Sequence, residues 1–433
     1  MRYWKLGPAL ALGFALLGCA DEEPLGVGGP LLRGGVIRTF EVTLDAGAFL
    51  EDDTIAPGFV TPAEARFMVV ASDFGLLQAH TLARFDPTPL GITYPDASGN
   101  TQQDTLPLYT GGRLLVRLDT LRSVAPGPVE FRLYQTAEEW DAATAGWDLR
   151  VDTGAVELPW ATAGGSPGTL LGTGSWTPGT ESDSVLISLD STIIRAWRDT
   201  ATAELGVLLV TATPGVRLHV ASMSLRVSAI PSPRPDTTVT VTIGTPRAQT
   251  SLFTPQQPAP AGLRLGGVPA WRAYLTLRER LDTLTIACPD GPPGCRIALG
   301  DATVNHAALV LTPLAVPATF RPAGEYTFEA RPVLAGAGLP VPRAPLADTV
   351  GRLRISDPGT VFAGGAAPVE LPITRLIASL AARTTRKPGS TVALLASPEG
   401  GQFGFGAFGG LEDGVLAPRL RLILSAVEEV DLR

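Results

Sequence analysis

The chain has 433 residues and a net charge of −8, and its only lysines are Lys5 and Lys387. That leaves no basic patch of the kind that neutralises nucleic-acid phosphate. Charged residues are 18% of the total, below the roughly 25% of an ordinary soluble domain, while 48 Gly and 39 Pro mark a turn-rich chain still short of a disordered composition. The length suffices for two or more domains, and beyond the N-terminal segment no apolar run reaches the roughly 18 uncharged residues of a membrane helix.

The first element is a targeting segment. Arg2 and Lys5 give it a positive start, Leu6 to Leu17 form an apolar core too short to span a bilayer, and small Gly18 precedes Cys19. A buried helix fits poorly, because Asp21, Glu22, Glu23 and Pro24 follow at once. "Leu16-Leu17-Gly18-Cys19" resembles the bacterial lipobox, in which the leader is cut before a cysteine that then carries lipid. Residues 1–18 are thus expected to be a lipoprotein signal peptide, Cys19 the lipidated residue held in the membrane, and residues 19–35 a flexible tether. Ala20 stands where an inner-membrane retention aspartate would stand, so the resemblance implies the outer membrane, at its periplasmic face or at the cell surface.

From residue 36 onward, period-two alternation dominates. Val129, Phe131 and Leu133 alternate with Glu130 and Arg132; Met223, Leu225 and Val227 with serines and Arg226; Val239, Val241 and Ile243 with threonines; and Leu420, Leu422 and Leu424 close the chain in the same way. Half-buried strands carry this pattern, and with turns at short intervals they predict an all-β sandwich or barrel. Two segments break it alike. "SVLISLDSTIIRAWRD" (184–199) reads as a strand, a Ser or Asp cap and a short helix with Ile193, Ile194 and Trp197 on one face. "PVELPITRLIASLAAR" (368–383) repeats this with Thr374 as cap and Leu376, Ile377 and Leu380 as the face. Each is followed by an apolar strand and then a closing strand.

Upstream, "LQAHTLARFD" from 77 corresponds to "GVPAWRAYLTL" from 267, and "GRLLVRLDTL" from 112 to "NHAALVLTPL" from 305. The expected division is therefore two tandem homologous domains, 36–229 and 239–433, each with one short helix. Between them, 230–238 has proline at 231, 233 and 235 and reads as a stiff spacer. In the second copy Cys288 and Cys295 flank "PDGPPG". A disulfide closing this loop suits an oxidising compartment, and a metal site lacks a nearby third ligand.

"YQTAEEWDAATAGW", with Trp140 and Trp147, followed by "ISLDSTIIRAWRDTATAELGVLLV", resembles the DNRLRE-type β-sandwich, a jelly-roll-like module of exported bacterial proteins related to carbohydrate-binding modules. The literal DNRLRE string is absent, and the second copy has no tryptophan pair in "GEYTFEARPVLAG". The resemblance implies two jelly-roll-like sandwiches with a binding or structural role and sugar as the leading ligand. An exposed Trp140 or Trp147 would stack on a pyranose while Glu138, Glu139 and Asp141 accept hydroxyl hydrogen bonds. The competing reading of the pair is core packing.

Other constellations carry less. "GGSPG" around Ser166 matches a nucleophile elbow, but Pro167 lacks the N–H that an oxyanion hole needs. The loop with Asp96, Ser98, Asn100 and Asp104 is oxygen-rich without EF-hand spacing, so an Asx-capped turn is expected rather than a Ca²⁺ site. Phe403, Phe405 and Phe408 among glycines read as core or as an aromatic platform. No cofactor, metal or catalytic residue is expected. The sequence points to a non-catalytic outer-membrane lipoprotein that binds an extracellular glycan or an envelope component. Its alternatives are a structural lipoprotein whose sandwiches pack on partner proteins and, last, an exported glycosidase or esterase.

Overall fold

The computed structural model describes residues 36–428 apart from 62, 76, 181, 255–261, 269, 288–295, 335–339 and 383–390. The signal peptide, the tether with Cys19 and the Cys288/Cys295 pair lie outside the described residues.

The all-β expectation holds. The chain opens with β1 (Val36–Asp45), a one-turn helix α1 (Ala46–Phe49) and β2 (Leu50–Ala56). There follow β3 (Met68–Phe74), β4 (Leu77–Arg84), a hairpin of β5 (Ile92–Pro95) and β6 (Thr101–Asp104), the long β7 (Leu108–Val124) and β8 (Val129–Thr136). A small hairpin, β9 (Leu149–Asp152) and β10 (Glu157–Pro159), precedes β11 (Pro167–Trp176) and β12 (Ser184–Leu189). Helices α2 (Ser191–Ala196) and α3 (Thr200–Leu205) lead to β13 (Val207–Thr211), β14 (Val216–Ile230), β15 (Val239–Gly244) and β16 (Ala248–Phe253). The remainder comprises β17 (Leu263–Gly266), β18 (Arg272–Leu277), β19 (Thr285–Ala287), β20 (Arg296–Ala298), β21 (Thr303–Leu311), β22 (Tyr326–Pro332) and β23 (Gly351–Ile355). Helix α4 (Pro358–Val361), β24 (Val369–Pro372), α5 (Thr374–Ala381), β25 (Thr391–Ala396), β26 (Phe405–Phe408) and β27 (Arg419–Glu428) complete it.

Burial follows the alternation. Val129, Phe131 and Leu133 of β8, Met223, Leu225 and Val227 of β14, and Leu420, Leu422 and Leu424 of β27 all point into the cores. The first helical segment forms α2, which Asp190 caps by accepting from the Thr192 amide at 2.8 Å; beyond it a further short helix, α3, is capped by Asp199, which accepts from the Thr202 amide at 3.0 Å. In the second segment Thr374 is the first helical residue and makes no cap. Its hydroxyl accepts from the Ala307 amide at 3.0 Å and tethers α5 to β21.

The repeat is visible in the strand order. One set runs β12-β7-β14-β3 and, across the β3–β4 hairpin, continues β4-β13-β8-β11, with β16 on the other side of β4. The second set runs β24-β21-β27-β1 in one sheet and β2-β18-β25-β22-β23 in another. Position by position, β7 answers β21, β14 answers β27, β4 answers β18, β13 answers β25 and β8 answers β22. The two segments matched upstream in the sequence thus occupy equivalent strands.

The expected tandem division at 230–238 does not match this pairing. β1 pairs with β27 along its whole length, from Val36 opposite Glu428 to Asp45 opposite Arg419, and β2 pairs with β18. Residues 36–56 therefore belong with the C-terminal part of the chain. β15 and β16 lie beyond the proline-rich stretch yet pair with β14 and β4. One body, roughly residues 57–254, is inserted into the other, which we call the host. Nor is the proline-rich stretch a spacer. The Arg234 amide donates to the Pro231 carbonyl at 2.9 Å, and the Ser232 amide donates to Asp104 at 2.7 Å, folding the stretch as turns against the β5–β6 hairpin.

The two bodies share apolar packing. Phe67, Val69 and Ala71 of the inserted body join one cluster with Phe403, Phe405 and Phe408 of the host. Phe403 is fully buried and meets Phe67, Phe253 and Phe320 at ring-centroid distances of 6.3, 5.3 and 5.7 Å. Beside it, buried Arg217 donates to the Thr319 carbonyl at 2.6 Å. The phenylalanines among glycines are core.

Nesting makes the fragments unequal. Residues 57–254 expressed alone are expected to fold, with cooperative urea unfolding and dispersed amide NMR signals. Residues 239–433 alone, lacking β1 and β2, are expected not to fold, and joining residues 36–56 to 263–433 by a short linker is expected to restore cooperativity. Cooperative unfolding of the 239–433 fragment would refute the nested assignment.

Candidate functional site

The residues expected to stack on sugar sit in a layer over one face of the inserted body's sheet. The segment 137–166, including β9 and β10, folds back over β4, β13 and β16. Trp140 and Trp160 there pack on Leu82, Leu208 and Leu252. Trp140 is 4% exposed, its Nε1 donates to the Leu205 carbonyl at 2.7 Å, and the Arg84 guanidinium lies 4.5 Å over its ring. A ring covered in this way offers no face to a pyranose, so for Trp140 core packing replaces the stacking expectation.

Trp147 is half-buried, 5.2 Å from the His80 ring and closed over Gly164. A Cβ on Gly164 would stand 2.7 Å from the indole, and its φ is +81°, so only glycine fits beneath the ring.

The neighbouring acids are mostly occupied by the backbone they hold. Asp141 accepts from the Ala143 and Thr144 amides at 3.0 and 2.9 Å, an Asx-type cap of the loop. Glu138 accepts from the Ala161 amide at 3.0 Å and from the Ser166 hydroxyl, and lies 3.5 Å from Arg150. The Ser166 bond above all holds its carboxyl below the usual carboxylate range. Glu139 is exposed, and its carbonyl accepts from Arg150. Trp140, Trp147, Glu138 and Asp141 are thus parts of one clasp that keeps segment 137–166 on its sheet.

Ser166, at the centre of the elbow-like string, is 3% exposed and bonded to Glu138. The histidine facing this segment, His80, uses Nδ1 on the Gly164 carbonyl at 2.6 Å. Asp96 accepts from the Ser98 and Asn100 amides at 2.8 and 2.9 Å, which makes its loop an Asx-capped turn. Among the described residues no group of three or more His, Cys, Asp and Glu could hold a metal ion.

A concave space exists elsewhere, where the bodies meet. A cleft of about 360 Å³ is lined by Arg66 and Arg122 of the inserted body and by Glu325, Thr327, Ser397 and Gln402 of the host, with Tyr326, Ala396, Pro398 and several glycines completing its wall. Its geometry is fixed on both sides. The Arg66 amide donates to the Gly400 carbonyl at 2.9 Å, and a Cβ on Gly400, at φ +63°, would meet Val60 at 2.6 Å. Arg122 is steadied by Asp119 at 3.3 Å. Glu325 is ion-paired with Arg354, and its carbonyl accepts from Gln402 Nε2. The Gln402 Oε1 is buried and finds no donor among the described residues.

Behind this cleft the packing between the bodies carries buried charge and a buried imidazole. Burial depresses Arg217 to about 10. His219, 3% exposed and 5.4 Å from the Phe67 ring, is pushed down to about 3 by burial, with Arg217 and Arg122 adding to it. His80 is lowered as well, chiefly by burial.

In the folded protein His219 stays neutral and His80 takes up a proton less readily than a free imidazole, while their unfolded counterparts gain a proton below about pH 6.5. Stability is therefore expected to fall as the pH drops from about 6.5 to about 5, before most carboxylates titrate, by at most about 1.4 kcal/mol per pH unit for each histidine. Urea midpoints across this window should decline in the native protein and decline less steeply in His219→Gln. An identical slope in the two would show that His219 does not contribute. In comparison with known proteins, the chain matches no family model and no curated protein.

Proposed function

We propose that the protein is a non-catalytic lipoprotein of the outer membrane, anchored through Cys19, that binds a glycan in the cleft between its two bodies. The observation that carries this reading is the cleft itself. Six polar or charged side chains from two parts of the fold converge on one concave space, whose walls are held by backbone hydrogen bonds and close glycine contacts. Sugar hydroxyls need such donors and acceptors at fixed spacing. The DNRLRE-type likeness of the first half supplies the class of ligand, and the lipobox-like leader supplies the place.

A second reading, assembly against envelope proteins, is favoured by one patch. Leu90, Leu106 and Leu108 are 68%, 75% and 50% exposed, and Gly91 packs against Asp104 and Thr105, which brings these leucines to one end of the inserted body.

The test uses the chain from residue 20 onward, pulled down on a panel of insoluble polysaccharides and on native envelope material. Its companion is a Thr327→Val/Ser397→Ala variant that keeps the native unfolding midpoint. Polysaccharide binding that falls at least several-fold in the variant is the expected result. Binding only to envelope protein, abolished by Leu106→Asp, would move the function to assembly, and polysaccharide binding untouched in the cleft variant but lost in Trp147→Ala would return the site to the tryptophan layer.

A further inference from the structure

We propose that the sugar unit seated in this cleft is acidic, its carboxylate held by Arg66 with Arg122 behind it; this rests on the glycan reading above. The chain carries a net charge of −8, so a cleft edged by two guanidiniums runs against the balance of the molecule. The cleft's own carboxylate does not cancel them, because Glu325 is turned to Arg354.

The two arginines differ in what they are free to do. Arg122 is occupied by Asp119, whose Oδ1 also accepts the Arg122 amide at 3.2 Å, and the pair is a fixed edge of the site. Arg66 is anchored only through its main chain, and its guanidinium makes no hydrogen bond or ion pair among the described residues. An unpaired guanidinium at the mouth of a polar cleft presents a planar fork of donors, which matches a carboxylate in bidentate fashion. Thr327 and Ser397, the host's share of the lining, supply short hydroxyls for the ring hydroxyls of the same unit. The aromatic residue in the cleft's wall, Tyr326, is 1% exposed and its hydroxyl donates to the Leu265 carbonyl at 2.8 Å, so it presents no ring face to a sugar. Recognition here is by charge and hydrogen bonding, and a neutral sugar would leave the Arg66 fork unused.

The experiment is isothermal titration of the chain from residue 20 with oligomers of polygalacturonate and with the same oligomers as methyl esters, at low and moderate salt. Arg66→Ala, Arg66→Lys and a distant control, exposed Arg113→Ala on β7, are measured beside the native protein, each checked for an unchanged unfolding midpoint. The expected result is preference for the free acid over the ester. Arg66→Ala should lose about tenfold in affinity for the acid and nothing for the ester, Arg66→Lys should recover only part of the loss, and Arg113→Ala should behave as native.

Equal binding of acid and ester, unaffected by Arg66→Ala, would overturn the acidic-sugar assignment while leaving a glycan site in place. An equal loss in Arg66→Ala and Arg113→Ala would mark non-specific attraction of a polyanion and overturn it too. Failure of both oligomers, together with failure of every polysaccharide in the pull-down, would instead remove the glycan reading on which it rests.

Discussion

The ring of Phe403 is the contact on which the arrangement of this molecule turns. It is contributed by the glycine-rich approach to β26 and is enclosed by Phe67 and Phe253 from the inserted body and Phe320 from the host. Burying such a ring contributes a few kcal/mol, with edge-to-face geometry adding to the area term. It joins two sandwich-like bodies through one shared apolar cluster. Gln402 and Gly404, its immediate neighbours, line the cleft. The wall of the candidate site and the joint between the bodies are therefore consecutive residues of one turn.

The polar groups around this joint follow the same economy of placement. Arg217 and His219 are adjacent inward positions of β14. One donates to the Thr319 carbonyl, and the other is kept neutral by burial, with the charges of Arg217 and Arg122 adding to it. Farther into the host, Glu329 is 2% exposed and offset by Arg331 at 2.7 Å and Arg352 at 2.9 Å. Arg264 lies between the rings of Trp271 and Phe405, 4.6 and 3.6 Å from their centroids. Charge is admitted to the interior where a carboxylate, a carbonyl or an aromatic face receives it. The site differs in leaving one guanidinium, that of Arg66, to solvent.

Much of the fold is legible in the chain because strand alternation is a local signal. β8, β14, β15 and β27 can be read from four or five residues each, and the strand–helix–strand repeat around Asp190 and Thr374 identifies equivalent positions in the two bodies. What a local signal cannot carry is pairing. Nothing within "VIRTFEVTLD" announces that its partner is the last strand of the chain, so a repeat detected by similarity reads as tandem when the connectivity is nested. The site was hidden for the same reason. Arg66, Arg122, Glu325 and Gln402 form no motif, being unrelated in spacing and brought together only by the joint. The tryptophans, conspicuous in composition, were conspicuous because a large ring is what clamps a folded-back segment to a sheet.

Nested connectivity also bears on the entropy of assembly. β2 must find β18 across a stretch of some two hundred residues, and closing so long a flexible loop costs about 5 kcal/mol. Once the inserted body has formed, that loop is no longer flexible. The Val69 amide is bonded to the Ser251 hydroxyl at 2.9 Å, so the strands by which the chain arrives and leaves are neighbours. The remaining gap is short, and about 2 kcal/mol of the closure entropy is recovered. The inner body thus acts as a clip that eases the closing of the outer one, as a short linker would. Until it forms, β1 and β2 lack these partners, and the polar residues that alternate along β1, Thr39, Glu41 and Thr43, are what such an edge carries to keep other chains from pairing with it.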